Sequence, residues 1–174
     1  RNKLIMQMKS ACKREPKRVV LADAQQYDML KAAEIVHNEN LAIPVLLGDE
    51  NVIREMIKDH ELELAGVEII DNKADTERAR RKEFANILLE KQQRNGMTPI
   101  SAMDAMLHRN YFAPMLVETG YADAVLSGLT RNYPDSITPF LQIIGKKDSN
   151  RIVSGMYIVI TKDGPLFLAD CTVN

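Results

Sequence analysis

One rhythm limits the folds open to this chain: short runs of β-branched residues and leucine alternate with stretches of helical period. "RVVLAD" at residues 18–23 reads as a buried strand, and "DMLKAAEIVHNEN" sets Met29, Leu30, Ala33, Val36 and His37 on one helical face. "IPVLLGD" at 43–49 is a second strand closed by a Gly-Asp turn. A helix follows it with Val52, Ile53, Met56 and Ile57 on its apolar side. "GVEIIDN" supplies a third strand through Val67, Ile69 and Ile70. Strands separated by helices pair in parallel, because the crossover returns the chain to the same end of the sheet.

The middle of the chain is helical for longer. Asp75 or Thr76 can cap a helix running to about Arg94, with Phe84, Ile87, Leu88 and Lys91 on one side and "TERARRKE" as its wet side. Gly96 ends it, and Thr98-Pro99 caps a new short helix. Asn110 can cap another that carries Phe112, Met115, Leu116 and Thr119 and stops at Gly120. A fourth strand at 124–127 and a helix at about 135–144 follow. The runs around Tyr157 and Phe167, joined by "KDGP", read as a β-hairpin.

Composition removes several function classes. At 174 residues, 45% hydrophobic and 27% charged, the chain matches an ordinary globular domain with one core. A formal net charge of −1 provides no electrostatic footprint for nucleic acid. The basic stretch from Ser10 to Arg18 reads as a solvated lead-in to the first strand. Cys12 and Cys171 have no ligand spacing, and His37, His60 and His108 are isolated, so no metal site is indicated. No apolar run is long enough to span a bilayer. A cytoplasmic protein with no membrane partner is expected. The chain starts at Arg1 and stops directly after "FLADCTVN", which reads as a piece of a longer protein.

Chemistry concentrates in "SGLTRNYPDS", where the fourth strand gives way to a helix. The amides of Gly128 and Leu129 and the hydroxyls of Ser127 and Thr130 sit where open α/β sheets hold ligands. Arg131 adds charged donors, and the amino end of the helix near Asp135 adds partial positive charge. The plainer alternative is a Ser-Gly turn, a cap from Asp135 or Ser136, and a solvated arginine. No GxGxxG, P-loop or nucleophile elbow occurs. Local chemistry stops at an α/β anion-binding domain.

Six stretches together carry a resemblance. "RVVLADAQQYDMLKAAEIV", "AIPVLLGDENVIREM", "GVEIID", "YFAPMLVETGYADAVLSG", "PDSITPFLQIIG" and "PLFLADCTVN" occur in the order and spacing of the phosphate acetyltransferase (phosphotransacetylase) family. Within it the chain looks most like the transacetylase-like domain at the C-terminus of bacterial NADP-dependent malic enzymes, because Arg131-Asn132-Tyr133 stand where the transferase usually has histidine, serine and threonine. The resemblance implies a three-layer, mostly parallel α/β fold with an antiparallel hairpin, like that of the isocitrate and isopropylmalate dehydrogenases. It also implies two domains flanking a cleft for coenzyme A and acyl phosphate. Residues 1–128 would form the first domain, and 129–174 would begin the second.

Ser127, Gly128, Asp135, Ser136 and Pro139 match the family's ligand loop, and with Thr130, Arg131, Asn132 and Tyr133 the first four make up the candidate acyl-CoA or phosphate site. The late motif with the proposed catalytic residues lies past Asn174, so no catalytic residue is assigned. Thr138 stands where the family usually has an arginine before Pro139, and Asp23-Ala24-Gln25-Gln26 replaces a Glu-Gly-Glu-Asp-like run. These departures lead to an expectation of a regulatory acyl-CoA-binding domain in an NADP-dependent malic enzyme. NADP and a divalent metal, Mg or Mn, would sit in N-terminal malic-enzyme domains of the same chain, and a homo-oligomer is expected. Here the ligand would be acetyl-CoA or phosphate. The alternatives are an active phosphate acetyltransferase and a structural oligomerisation module.

Overall fold

The computed structural model describes residues 3–130, 132–145 and 154–169. Strands β1 (Lys17–Leu21), β2 (Ala42–Leu47), β3 (Glu68–Ile70) and β4 (Ala124–Leu126) form one parallel sheet in the order β3-β2-β1-β4. Val20 of β1 lies opposite Val45 of β2 and Val125 of β4, and Leu46 lies opposite Ile69. Helices α2 (Tyr27–Asn38) and α3 (Glu50–Asp59) connect the first three strands. Helices α4 (Arg78–Gln92), α5 (Pro99–Ala105) and α6 (Arg109–Glu118) separate β3 from β4, and α7 (Tyr133–Ile143) follows.

The two-residue alternation of a strand sorts the core into two layers. Leu21 and Leu46 face Met29, Leu30 and Ile53 of α2 and α3. Val20, Val45 and Leu47 face Phe84, Phe112 and Leu116 on the other side. Both faces of the sheet are therefore covered, which explains why its strands read as unbroken apolar runs. Each of these side chains is worth roughly 1.5–3 kcal/mol when removed from water. Helix α7 joins the second layer: Ile143 is buried in it, Gln92 Nε2 donates to the Gln142 carbonyl at 2.9 Å, and Tyr111 Oη donates to Gln142 Oε1 at 2.7 Å.

A separate antiparallel hairpin pairs β5 (Met156–Thr161) with β6 (Gly164–Ala169), with Tyr157 opposite Leu168. The expected α/β class with a mostly parallel sheet and an added hairpin is thus what the chain forms. Thr98 caps α5 as expected, sharing a reciprocal capping box with Ser101 ahead of Pro99.

Local expectations fail where side chains found distant partners. The basic lead-in is a helix, α1 (Lys3–Arg14), with no buried residue, and it contacts the body through Lys9 and Glu39 at 2.7 Å. Asn110 lies inside α6, because His108 takes the N-cap position. Lys91 is exposed and pairs with Glu118 instead of joining the core face. Arg81, read as wet, is buried with its guanidinium on two carbonyls, and Glu34 is buried on α2 where His37 was expected.

Glu34 shows why a charge can sit there. Its carboxylate accepts from the Lys31 ammonium and from the Glu63 backbone N–H, the latter at 2.7 Å. The Lys31 bond first, and the Glu63 amide second, hold its carboxyl below the usual carboxylate range. A depressed folded value means the stabilisation is complete above the unfolded pKa and is lost as pH falls through the folded one. Glu34→Gln is therefore expected to flatten the fall of Tm below about pH 5. Thermal unfolding across the acid range checks this, and an acid limb as steep as wild type would contradict it.

Candidate functional site

The connections from β1 run one way across the sheet, to β2 and β3, while β4 joins its other edge. The point where the strand order reverses is where open α/β sheets form a crevice at their carboxyl ends. Here that crevice is bounded by the loop after β1, starting at Ala22 and Asp23, and by the loop after β4, Ser127 to Thr130. The ladder continues one step past the strands, with Ala22 N donating to Leu126 O at 3.0 Å.

What fills the crevice is a carboxylate of the chain itself. Gly128 N and Leu129 N donate to Asp23 Oδ2 at 3.1 and 3.0 Å, and Thr130 Oγ1 donates to Oδ1 at 2.8 Å. Asp23 is only 4% exposed. Gly128 has φ +109, a backbone conformation that side-chain-bearing residues rarely adopt, although a Cβ there would meet nothing closer than Ser136 Oγ at 3.9 Å. Its glycine serves the turn that aims the two amides, not a lack of space. The expectation that these amides and the Thr130 hydroxyl face a ligand therefore meets a different finding: an internal anion has taken them.

The start of α7 differs in the same way. Neither Asp135 nor Ser136 is the cap. Asn132 Oδ1 accepts from Asp135 N at 3.1 Å, and Ser136 Oγ donates back to Asn132 O at 3.0 Å. Asp135 occupies the first turn, where its charge opposes the positive end of the helix dipole. Asn110 Nδ2 donates to its carbonyl at 3.2 Å. Arg131, Cys171 and the side chain of Tyr133 lie outside the described residues.

Of the predicted residues, Ser127, Gly128 and Ser136 do come together. They line a cavity of about 810 Å³ whose apolar walls are Leu126, Ile137 and Phe140, with Tyr157 of the hairpin on one side. Asp135 and Thr138 border a neighbouring hollow of about 400 Å³ with Asn110 and Tyr111. Burial pushes the Tyr111 phenol above its ordinary pKa, and its hydroxyl donates to Gln142 Oε1. An open, mostly apolar cavity with a small polar end suits a ligand that is itself part apolar and part polar.

A second crevice was missed by the sequence reading. Gln25, Asp49, Asn72, Lys73, His108 and Arg109 surround about 170 Å³ at the carboxyl ends of β1, β2 and β3. Gln25 Oε1 accepts from Asp49 N at 3.1 Å, and Arg109 Nη1 donates to Ala22 O at 3.2 Å. Gly48 permits that approach: a Cβ there would stand 2.9 Å from Gln25 Oε1. The signal available in the sequence was position, since these residues directly follow strands, but Gly48-Asp49 was read only as a turn. The loop after β1 is thus tied to β4 through Asp23, to β2 through Gln25 and to α6 through Ala22.

The sequence profile of phosphate acetyl/butaryl transferases matches residues 3–174. This chain belongs to that family. It is 33% identical to the phosphate acetyltransferase of Clostridium acetobutylicum over 177 residues, covering 98% of this chain and 52% of that protein. It is 32% identical to the Helicobacter pylori phosphate acetyltransferase, covering 95% of this chain and 31% of that one. In structure it resembles the EutD phosphotransacetylase from Staphylococcus aureus with a TM-score of 0.85 and 26% identity, covering 98% of this chain and 51% of that chain. The chain spans about half the length, or less, of these relatives.

Within the phosphate acetyl/butaryl transferase family, the individual relatives correct the expected subfamily. An NADP-dependent malic enzyme, from Rhizobium meliloti, is also similar, at 29% identity over 93% of this chain. Several phosphate acetyltransferases are more similar, at 31–33% identity. The reading as a regulatory domain of a malic enzyme is therefore overturned in favour of the transferase. Local replacements such as Arg131-Asn132-Tyr133 weigh less than similarity along the whole chain. Among the described residues no helix is long and apolar enough to cross a membrane.

Proposed function

We propose that the complete protein carrying this chain is a phosphate acyltransferase, moving an acetyl group between acetyl phosphate and coenzyme A. The observation that carries this reading is similarity to phosphate acetyltransferases over 98% of the chain, together with a cavity at the carboxyl edge that has Ser127, Gly128 and Ser136 at its polar end. In the reaction the coenzyme A sulfur, as thiolate, attacks the carbonyl carbon of acetyl phosphate. The new C–S bond forms, the C–O bond to phosphate breaks, and phosphate leaves with the bonding pair. Donors near the carbonyl oxygen lower the barrier by meeting the charge that develops there.

This chain supplies one wall of the site in that reading. The amino end of α7 contributes partial positive charge, and Ser127 and Ser136 contribute hydroxyls, while the apolar wall excludes water from the thioester. We read the hairpin as the opening of a second domain across a cleft, in the manner of the isocitrate dehydrogenase-like fold. Both its faces expose apolar side chains, Tyr157 and Val159 on one and Ile158 and Ile160 on the other, which a lone two-stranded hairpin does not keep in water.

Formation of acetyl-CoA from acetyl phosphate and coenzyme A by the complete protein tests the reading, and absence of turnover would overturn it. Thr138 allows a second measurement. Thr138→Arg restores the charge that the family usually has there, and is expected to lower the KM for acetyl phosphate by roughly tenfold, as one added charge-assisted contact would. The gain stays at the low end because the Asp135 carboxylate borders the same hollow and competes for the guanidinium. An unchanged KM would place the acyl phosphate away from α7.

A further inference from the structure

We propose that Asp23 is a positioning residue of this site: its carboxylate holds the Ser127–Thr130 loop in its working shape and keeps the substrate phosphoryl group off the loop's amides. The inference rests on the acyl-transfer reading above. Two consecutive N–H groups and a hydroxyl converging on one carboxylate form the kind of cradle that usually receives a bound anion. Here the anion comes from a residue 105–107 positions away in the chain.

Two consequences are possible for such a cradle, and they have opposite signs. Asp23 is either a placeholder that a phosphoryl group displaces, or a permanent anchor. Displacement would leave a carboxylate at 4% exposure stripped of its donors, which costs more than an exposed ion pair returns. Asp23 also has little room to withdraw. Ala22 O is held by Arg109 Nη1 on one side of it, and Gln25 Oε1 holds Asp49 N on the other. The anchor reading follows, with the loop ordered before substrate arrives, so that the ordering cost is not charged against catalysis.

Asp23→Asn in the complete protein separates these cases. The substitution keeps the size of the side chain and removes its charge: with the amide oxygen on Gly128 N and Leu129 N and the new NH2 donating to Thr130 Oγ1, the charge assistance of the two backbone bonds is what is lost. Hydrogen exchange at the Gly128 and Leu129 amides should quicken by about tenfold or more while Val20 and Val45 in the sheet keep their protection. In the coenzyme-A-dependent consumption of acetyl phosphate, kcat should fall by about 10- to 100-fold with the KM for acetyl phosphate changed by less than about threefold, the pattern of a misplaced rather than a missing contact. Thr130→Val, which removes only the hydroxyl donor, should show a smaller loss of the same kind and serves if the first variant does not fold. A lower KM for acetyl phosphate in Asp23→Asn would overturn the proposal in favour of a displaced placeholder. Faster exchange with kcat within twofold of wild type would reduce Asp23 to a structural tie and overturn the positioning role. Absence of turnover in the wild-type protein would instead overturn the acyl-transfer reading itself.

Discussion

Replacing Arg81 by methionine is expected to destabilise the protein by about 2–4 kcal/mol. Arg81 is 8% exposed, and its Nη1 donates to Asn72 O at 2.8 Å and Ala74 O at 2.6 Å. Asn72, itself buried, passes the link on: its Nδ2 donates to Met106 O at 3.2 Å and Leu107 O at 2.9 Å. One guanidinium thus ties the β3–α4 connection, and through Asn72 that connection holds the α5–α6 turn. Methionine preserves the apolar stem but leaves two carbonyls without their donor, that of Asn72 buried and that of Ala74 half-buried, and an unsatisfied buried acceptor costs about 1–3 kcal/mol. For a chain of this size the Tm should drop by roughly 5–15 °C. Thermal and urea unfolding measure it, and a drop below about 2 °C would mean that water replaces the guanidinium at both carbonyls.

Phe112→Ala is expected to cost about 3–5 kcal/mol, the usual range for emptying a fully buried aromatic site. Phe112 has no exposed surface and meets Phe84 in a tilted pair with ring centroids 5.1 Å apart. That pairing adds about 0.5–1.5 kcal/mol beyond area burial. Phe112→Leu keeps most of the volume and should cost about half as much or less. Urea unfolding with an unchanged m-value would assign the difference to the folded state. The effect should also reach the site. Ile143 of α7 sits in the same core, so a cavity there loosens the helix that carries Ser136, and the KM values should rise along with the loss of stability.

The strands and most helices were legible because they depend on neighbours in sequence. Val20, Val45 and Ile70 lie in runs whose composition suits a sheet buried on both faces, and Thr98-Pro99 carries its own cap. Three of the differences share one cause. Arg81, Glu34 and Asn110 are polar residues that periodicity assigns to solvent or to caps, yet each finds a partner on another element or in a connection. Helix α1 carries Leu4, Ile5, Met8 and Cys12 at helical spacing, but its basic residues suggest a solvated lead-in, and in the structure none of its residues is buried.

The candidate site divides along the same line. Its location was readable, since Ser127-Gly128 ends a strand and a helix opens near Asp135, and six ordered stretches were enough to name the phosphate acetyltransferase family. The subfamily was misread because a few loop residues outweighed the rest of the chain. By itself the sequence determined the parallel sheet, the order of its helices, the family and the place of the crevice. Only the tertiary structure decided what occupies that crevice. Gly128, Leu129 and Thr130 meet Asp23 across more than a hundred residues, and a hydrogen bond between adjacent strand ends leaves no mark in the local pattern of either one.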